Sequence, residues 1–131
     1  MHDLKSNIKV VPTLVPGSRN AAGNGVGVDT TGFNSVAVVF SSGAIGGTAT
    51  PTFSFELQES ADNATFTAVS AVDMRGSNAV VTAAGVTSTV SYIGNKRYVR
   101  AALKTVAGTS PTLDCSALVL LAGATNRPIV Q

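Results

Sequence analysis

Charged residues are scarce in this sequence. Only 12% of its 131 residues are Asp, Glu, Lys or Arg, about half the usual share, while the hydrophobic fraction of 44% is ordinary. Low charge with a positive mean hydropathy argues against intrinsic disorder, which requires low hydrophobicity and high net charge. The length suits one domain and is too short for two ordinary ones. We therefore expect one folded domain over residues 1–131.

Cysteine and histidine occur once each, as Cys115 and His2. A single cysteine cannot form an intrachain disulfide, and a structural zinc site needs about four Cys or His ligands. A nucleophile paired with histidine would depend on His2, which lies in a segment expected to fray. Cys115 lies in an apolar run, where an inert buried thiol is expected. The sequence thus predicts a protein that is not an enzyme and uses no cofactor or metal.

Carboxylates are also few, and Glu59 and Asp62 superficially resemble an acid/base pair. They lie where a strand gives way to a turn, and an Asp there commonly accepts hydrogen bonds from its own backbone. The glycine-rich stretches 23–27 and 43–47 do not match phosphate-binding loops in spacing or in their final residues. We interpret all of these features as turn chemistry.

Aromatic residues make up 5% of the chain, and tryptophan is absent. The net charge is +2, and basic residues cluster only between Lys96 and Lys104. Nucleic-acid-binding proteins usually carry a denser basic stripe with interleaved aromatics. No apolar run approaches the roughly 20 residues of a membrane-spanning helix, and the first residues do not resemble a secretory signal. We expect synthesis in the cytoplasm, and neither nucleic acid nor membrane as a partner.

The pattern that is present has a period of two. In residues 52–58, Phe53, Phe55 and Leu57 share one face, and polar side chains alternate with them. This alternation is typical of a half-buried strand. Further apolar or alternating segments predict strands over 8–14, 33–40, 65–72, 86–92, 96–106 and 113–122.

Two of these segments carry additional information about position in a sheet. Pro12 has no N–H to donate, so it predicts that the segment 8–14 is an edge strand. Residues 33–40 are nearly all apolar, with Val38 and Phe40 on one side and Val39 on the other. That composition predicts a central strand covered on both faces.

Turn-forming residues separate the predicted strands, and no window combines helical spacing with capping residues. This organisation predicts an all-β fold, an antiparallel β-sandwich of the jelly-roll type, with an immunoglobulin-like sandwich as the alternative. Short arms are expected over about residues 1–7 and 123–131. The turn signals lie at 16–18, 24–25, 43–51, 62–63, 75–78, 94–95 and 108–111.

Three runs carry a resemblance to a known group of proteins. They are Asp29-Thr-Thr-Gly-Phe-Asn-Ser-Val36, Phe55-Glu-Leu-Gln-Glu-Ser-Ala-Asp-Asn-Ala-Thr-Phe66 and Tyr92-Ile-Gly-Asn-Lys-Arg-Tyr-Val-Arg100. In this order and at this length, the chain resembles small virion proteins of tailed bacteriophages, of the capsid decoration (cement) type. The resemblance covers most of residues 3–122.

The resemblance implies a protein on the outer capsid surface that binds the major capsid protein and stabilises junctions between its subunits. It also implies a homotrimer. A head-completion or tail structural protein of the phage is one alternative. A carbohydrate-binding module is another, because the hairpin around Ser60, Asp62 and Phe66 loosely resembles sugar-binding sandwiches. Such modules generally stack sugars on exposed Trp or Tyr rings.

Each run also has a structural interpretation. Asp29 and Gly32 can form a tight turn, residues 59–63 can form a hairpin, and Gly94-Asn95 can form another. The last residues suggest a different role, because Arg127 precedes a proline and is therefore biased towards an extended backbone. Pairing with a neighbouring sheet edge would bury the apolar end of this segment; a frayed terminus is the alternative. The candidate partner contacts are Arg127, Pro128, Ile129 and Val130.

Overall fold

The computed structural model describes residue 1 and residues 3–126, and strands dominate this part of the chain. The only helices within it are two 3₁₀ turns, Lys5–Asn7 and Ala71–Asp73. No helix of the described residues is long and apolar enough to cross a membrane. The strands are β1 (Ile8–Arg19), β2 (Gly23–Asn24), β3 (Val28–Asp29), β4 (Phe33–Ser60), β5 (Thr67–Ala68), β6 (Met74–Arg75), β7 (Val80–Val81), β8 (Thr87–Tyr92) and β9 (Tyr98–Ala124).

A long two-stranded ribbon organises the fold. β4 and β9 pair antiparallel along their whole length, from Phe33 opposite Ala124 to Ser60 opposite Tyr98. In a straight strand, Phe40 and Phe55 would be about 50 Å apart, at roughly 3.3 Å per residue. Their ring centroids are 5.0 Å apart. The ribbon is therefore folded back on itself, and its two halves face each other.

The ribbon bends at a corner where both strands are irregular. The pairing register shifts at several points between Ser42 and Thr52 of β4. On β4, Gly47 and Thr50 have positive φ angles, and on β9 so does Gly108. Bulges of this kind bend a strand and increase its twist. We predicted that 43–51 and 108–111 would be turns ending separate strands. That prediction is wrong, because the two segments pair with each other.

The halves of the ribbon belong to two layers. The first layer runs in the order β1, residues 113–124 of β9, residues 33–42 of β4, β8 and β6. In the second layer, residues 98–106 of β9 pair with residues 52–60 of β4. β2 and β3 flank the β9 side, and β5 and β7 flank the β4 side. The predicted all-β antiparallel sandwich is confirmed; the choice between jelly-roll and immunoglobulin-like winding stays a prediction.

β1 forms the free edge of the first layer, as Pro12 predicts. The next residue, Thr13, is only 1% exposed and joins the two layers. Its hydroxyl donates to the carbonyl of Val26 at 2.7 Å and accepts from the amide N–H of Ala101 at 3.1 Å. Gly25 passes so close that a Cβ there would lie 2.6 Å from the Thr13 hydroxyl oxygen. Because the backbone approaches so closely, the Thr13 hydroxyl can satisfy both the Val26 carbonyl and the Ala101 amide.

Some predicted boundaries differ from the structure. Gly123 and Ala124 belong to β9, because Ala124 pairs with Phe33, so the predicted arm over 123–131 starts too early. The predicted arm over 1–7 includes a 3₁₀ turn that contacts β9. The predicted strand over 65–72 is reduced to Thr67–Ala68, since only these two residues pair with β4.

The core lies between the layers and follows the predicted alternation. Phe53, Phe55 and Leu57 are at most 2% exposed, which confirms their shared inward face. Residues 33–40 are only partly as predicted. Val38 and Phe40 are buried, but Val39 lies on the outer surface of the first layer and is half-buried. The chain therefore covers this strand on one face and leaves the other partly open.

We expect Phe55→Ala to lower the free energy of unfolding by about 3–5 kcal/mol, because it leaves a cavity between the layers. Glu56→Ala, on the opposite face of the same strand, is the matched control. Its carboxylate accepts from the Gln58 amide and lies 3.8 Å from the Lys104 ammonium. A half-exposed pair of this kind contributes about 1 kcal/mol or less. Equal losses in urea denaturation would contradict the observed register.

Candidate functional site

The three sequence motifs meet at one end of the sandwich, opposite the corner. β4 begins here with Phe33 and ends here with Ser60, β8 ends with Tyr92, and β9 begins with Tyr98. The loops that connect these strands therefore lie side by side. We call this surface the motif end and define it by residues 29–34, 59–66 and 92–97.

An ion pair joins the first motif to the third. The Arg97 guanidinium contacts both carboxylate oxygens of Asp29, with the shortest distance 2.7 Å. The Thr30 amide and hydroxyl both donate to the carbonyl of Arg97, at 2.9 and 2.8 Å. The guanidinium holds the pKa of the Asp29 carboxyl well below its usual range. Because both side chains are about half exposed, the pair positions these loops and adds little stability.

Tyr92 and Glu59 join the third motif to the second across the two layers. The Tyr92 hydroxyl donates to the Glu59 carboxylate and accepts from the Lys96 amide N–H at 2.9 Å. Burial and the neighbouring carboxylate raise the pKa of the Tyr92 phenol. A Cβ at Gly94 would lie 2.5–2.6 Å from the hydroxyl oxygen and ring carbons of Tyr92, so any side chain here would displace the Tyr92 phenol. The Tyr92 phenol thus covers the edge of the core at the motif end and forms a polar contact with Glu59 there.

The loop around Gly94 is not the hairpin that the sequence predicts. β8 pairs with β4 and β6, whereas the start of β9 pairs with β3 and with the other half of β4. Residues 93–97 therefore cross from the first layer to the second. The other two turn predictions are confirmed. Asp29 accepts from the Thr31 amide before Gly32, whose φ is +87°, and residues 60–66 connect β4 to its partner β5.

Glu59 and Asp62 do not act on a common site. Glu59 faces Tyr92, while Asp62 accepts hydrogen bonds from the amides of Ala64 and Thr65, at 3.0 and 2.9 Å. These backbone hydrogen bonds lower the pKa of Asp62 to about 2. The interpretation of Asp62 as a turn residue is therefore confirmed.

A cleft of about 530 Å³ with a mixed polar and apolar lining opens between the first and third motifs. Its lining combines polar groups, among them the cations of Lys96 and Arg97, with the apolar side chains of Phe33, Val36 and Ile93. Among the described residues, no cluster of three His, Cys, Asp or Glu side chains could hold a metal ion. The cleft is suited to a partner surface that offers both hydrogen-bonding and apolar groups. The lining includes Thr30, Gly32, Asn34, Asn95, Lys96 and Arg97.

Most of the basic cluster is engaged on the surface of the second layer. Arg100 donates to the side-chain oxygen of Gln58 at 2.8 Å and lies 3.9 Å above the Phe66 ring. Lys104 lies beside Glu56. The guanidinium of Arg97 also covers the Tyr98 ring, at 5.1 Å. Phe66 and Tyr98 are half-buried under these cations, which gives no support to a bare aromatic platform for sugars.

The predicted C-terminal contacts cannot be placed with this site. Arg127, Pro128, Ile129 and Val130 lie outside the described residues. Nearby, the Thr125 amide donates to the carbonyl of Gly32 at 2.9 Å. The described chain therefore ends beside the motif end.

Sequence reasoning missed the two polar contacts that join the layers, those of Thr13 and of Tyr92 with Glu59. Glu59 continues the inward alternation of Phe55 and Leu57, and Tyr92 continues that of Val90. A charged residue and a phenol at inward positions at strand ends were a signal that they close the core. Their pairing depends on strands 33 residues apart and was not readable from spacing.

We expect Tyr92→Phe to lower the free energy of unfolding by about 1–3 kcal/mol, because it leaves the half-buried Glu59 carboxylate and the Lys96 amide without this partner. Tyr98→Phe is the matched control, since no hydrogen bond to its hydroxyl is described. Thermal and urea denaturation of both variants would measure the difference. Equal stabilities would show that the phenol contact contributes nothing.

We also expect the protein to lose stability in acid. The folded-state pKa values of Asp29 and Asp62 lie below 3.8, so the unfolded chain binds these protons more tightly. Their contribution is complete above pH about 5, and it declines as the pH falls through the unfolded-state value of 3.8 towards the folded values, about 2 for Asp62. Urea denaturation between pH 6 and pH 2 should show a shallower decline for the Asp29→Asn/Asp62→Asn variant than for the parent. An unchanged decline would contradict this assignment.

Comparison with known proteins gives one structural likeness. No protein-family profile matches the sequence, and no curated protein matches it. The chain is similar to the crystal structure of the PBSX exported protein XepA, with a TM-score of 0.52 and 17% sequence identity. The likeness covers all of this chain and 42% of that one, so this chain spans less than half the length of XepA. At this identity the likeness shows a shared fold.

Proposed function

We propose that this chain is a structural protein of a tailed-bacteriophage virion, and specifically a capsid decoration protein. The observation that carries the proposal is the fold likeness to the PBSX exported protein XepA over the whole of this chain. The finer assignment to decoration rests on the resemblance of the three motifs to the cement type. In this role the partner is the major capsid protein, and the location is the outer surface of the capsid.

The motif end supports this proposal by its construction. Three loops from both layers are fixed to one another by the Asp29–Arg97 pair and the Tyr92–Glu59 contact. The resulting surface is held in place by these contacts, and the cleft beside Lys96 offers both hydrogen-bonding and apolar groups. A surface of this kind can seat on a protein shell without first becoming ordered, which reduces the entropic cost of binding.

The mechanism of a decoration protein is physical. A rigid domain that contacts two neighbouring capsid subunits adds buried surface across their junction. Many copies on one shell act together, so modest individual affinities accumulate. The chain suits close packing because only 12% of its residues are charged, and few charges must lose water at an interface. No catalytic step is required.

Immunogold labelling of virions that encode this chain tests the proposal. We expect gold particles dispersed over the capsid, and no label on virions from which the gene has been deleted. The deletion virions should release their DNA at a lower temperature than the parent virions, because the subunit junctions lose buried surface. The fluorescence of a DNA-binding dye, recorded while the virions are heated, gives the temperature of DNA release.

The other labelling patterns decide between related roles. Label at one vertex or along the tail would overturn decoration and assign a head-completion or tail protein. Virions without label, from a lysate in which the protein is detected, would overturn the virion proposal itself.

A further inference from the structure

The described chain stops at the rim of the cleft between the first and third motifs, which we call the motif-end cleft. β9 ends with Ala124 opposite Phe33, and the next residue, Thr125, is fixed to the turn before β4. Its amide N–H and its hydroxyl both donate to the carbonyl of Gly32, at 2.9 and 3.3 Å. Gly32 also lines the cleft. The chain therefore leaves its last strand directly beside this cleft.

The turn at Gly32 leaves room for a segment to pass over it. Apart from the two neighbouring residues, no atom of the described chain lies within 4 Å of the place that a Cβ at Gly32 would take. Thr125 and Asn126 are themselves exposed. A segment that follows Asn126 can therefore reach the cleft without displacing a described side chain.

The length of the next segment fits this path. The five residues after Asn126 are Arg-Pro-Ile-Val-Gln, and we call residues 127–131 the C-terminal segment. β9, β4 and β8 are neighbours in the first layer, and the cleft lies between the start of β4 and the loop that follows β8. Two strand spacings amount to about 10 Å, whereas five residues of extended chain reach about 17 Å. The segment is thus long enough to bring Ile129 and Val130 to the cleft.

The cleft has apolar walls that the described chain leaves partly open to water. The loop after β8 contributes Ile93, which is 49% exposed, and β4 contributes Phe33 and Val36, which are only partly buried. Consecutive side chains of an extended segment point to opposite sides, so Ile129 and Val130 can meet both walls. Removal of this apolar surface from water is the driving force for the contact.

Two side-chain amides in the cleft are available to a peptide backbone. Asn34 and Asn95 line the cleft and are exposed, and neither side chain has a hydrogen bond within the described residues. Each amide offers donors and an acceptor, which the N–H and C=O groups of an extended segment require when they leave water. The mixed lining of the cleft therefore suits a segment with apolar side chains on a peptide backbone.

A second cleft flanks the same turn and is a poorer match. It measures about 390 Å³, and its apolar lining includes Val28 and Leu121. These two side chains are 4% and 1% exposed, so the sandwich itself already covers them. A segment placed there would bury little further apolar surface. This difference favours the cleft that contains Ile93.

We propose that the C-terminal segment folds back onto the motif end of its own chain and occupies the motif-end cleft, with Ile129 and Val130 against Phe33 and Ile93. Because the segment is tethered at Thr125, its effective concentration at the cleft is high, and a modest contact is enough to hold it. The surface that the motif end presents to a partner then includes the segment. The inference does not depend on the proposed virion role.

Methyl-resolved NMR of the full chain tests the proposal. We expect nuclear Overhauser contacts from the methyl groups of Ile129 and Val130 to the Phe33 ring and the Ile93 methyl groups. Ile93→Asp places a charge on the apolar wall, so these contacts should disappear and the Val130 amide should exchange its hydrogen about ten-fold faster. Val80→Asp is the matched control and should change neither result, because Val80 is an exposed valine on β7, in the second layer.

A substitution in the segment guards against a folding defect in the cleft variant. Ile129→Asp should remove the Val130 contacts with Ile93 and accelerate amide exchange to the same extent as Ile93→Asp. Circular dichroism and the chemical shifts of β9 will show whether each variant is folded. Retention of the Val130 contacts and of the slow exchange in a folded Ile129→Asp variant would overturn the proposal.

The remaining outcomes distinguish other occupants of the cleft. In a mixture of labelled and unlabelled chains, contacts between the two kinds of chain would show that the segment of a second copy fills the cleft. Contacts to Val11, which lines the second cleft, in place of Ile93 would assign the segment there. Absence of all these contacts in the parent chain would show that the segment stays in water. Each of these three results would overturn the proposal, and virion labelling decides the proposed function separately.

Discussion

The bend in the ribbon of β4 and β9 is the constraint on which the rest of the structure depends. Both strands carry inward-facing apolar side chains on each side of the corner. On β4 these are Val38 and Phe40 before it and Phe53 and Phe55 after it, and β9 contributes Leu103 and Val119. A straight ribbon would leave this whole face in water. Folding it brings Phe40 against Phe55 and makes the two halves of one ribbon into two layers. The positive φ angles and register shifts of the corner are the local cost of that burial.

Because the ribbon folds at its middle, the corner forms one end of the sandwich and the four ends of β4 and β9 collect at the other. The motif end is therefore a consequence of topology as much as of local sequence. Hydrophobic packing cannot close a sandwich at its rim, where water reaches the core. Tyr92 is suited to that position, since its ring packs inward while its hydroxyl meets Glu59 and the Lys96 amide. Thr13 makes a comparable polar link along the β1 edge.

The alternation of apolar and polar residues predicted those features of the fold that depend on a single strand. The alternation of Phe53, Phe55 and Leu57 predicted a strand and its buried face, and Pro12 predicted an edge. It could not predict which distant segments pair with each other. Glycine and proline at 43–51 and 108–111 indicate a break when each segment is considered alone, yet opposite each other they form a paired corner. At the candidate site, the turn at Asp62 was predictable because its hydrogen bonds are local, whereas the contact of Tyr92 with Glu59 links different layers.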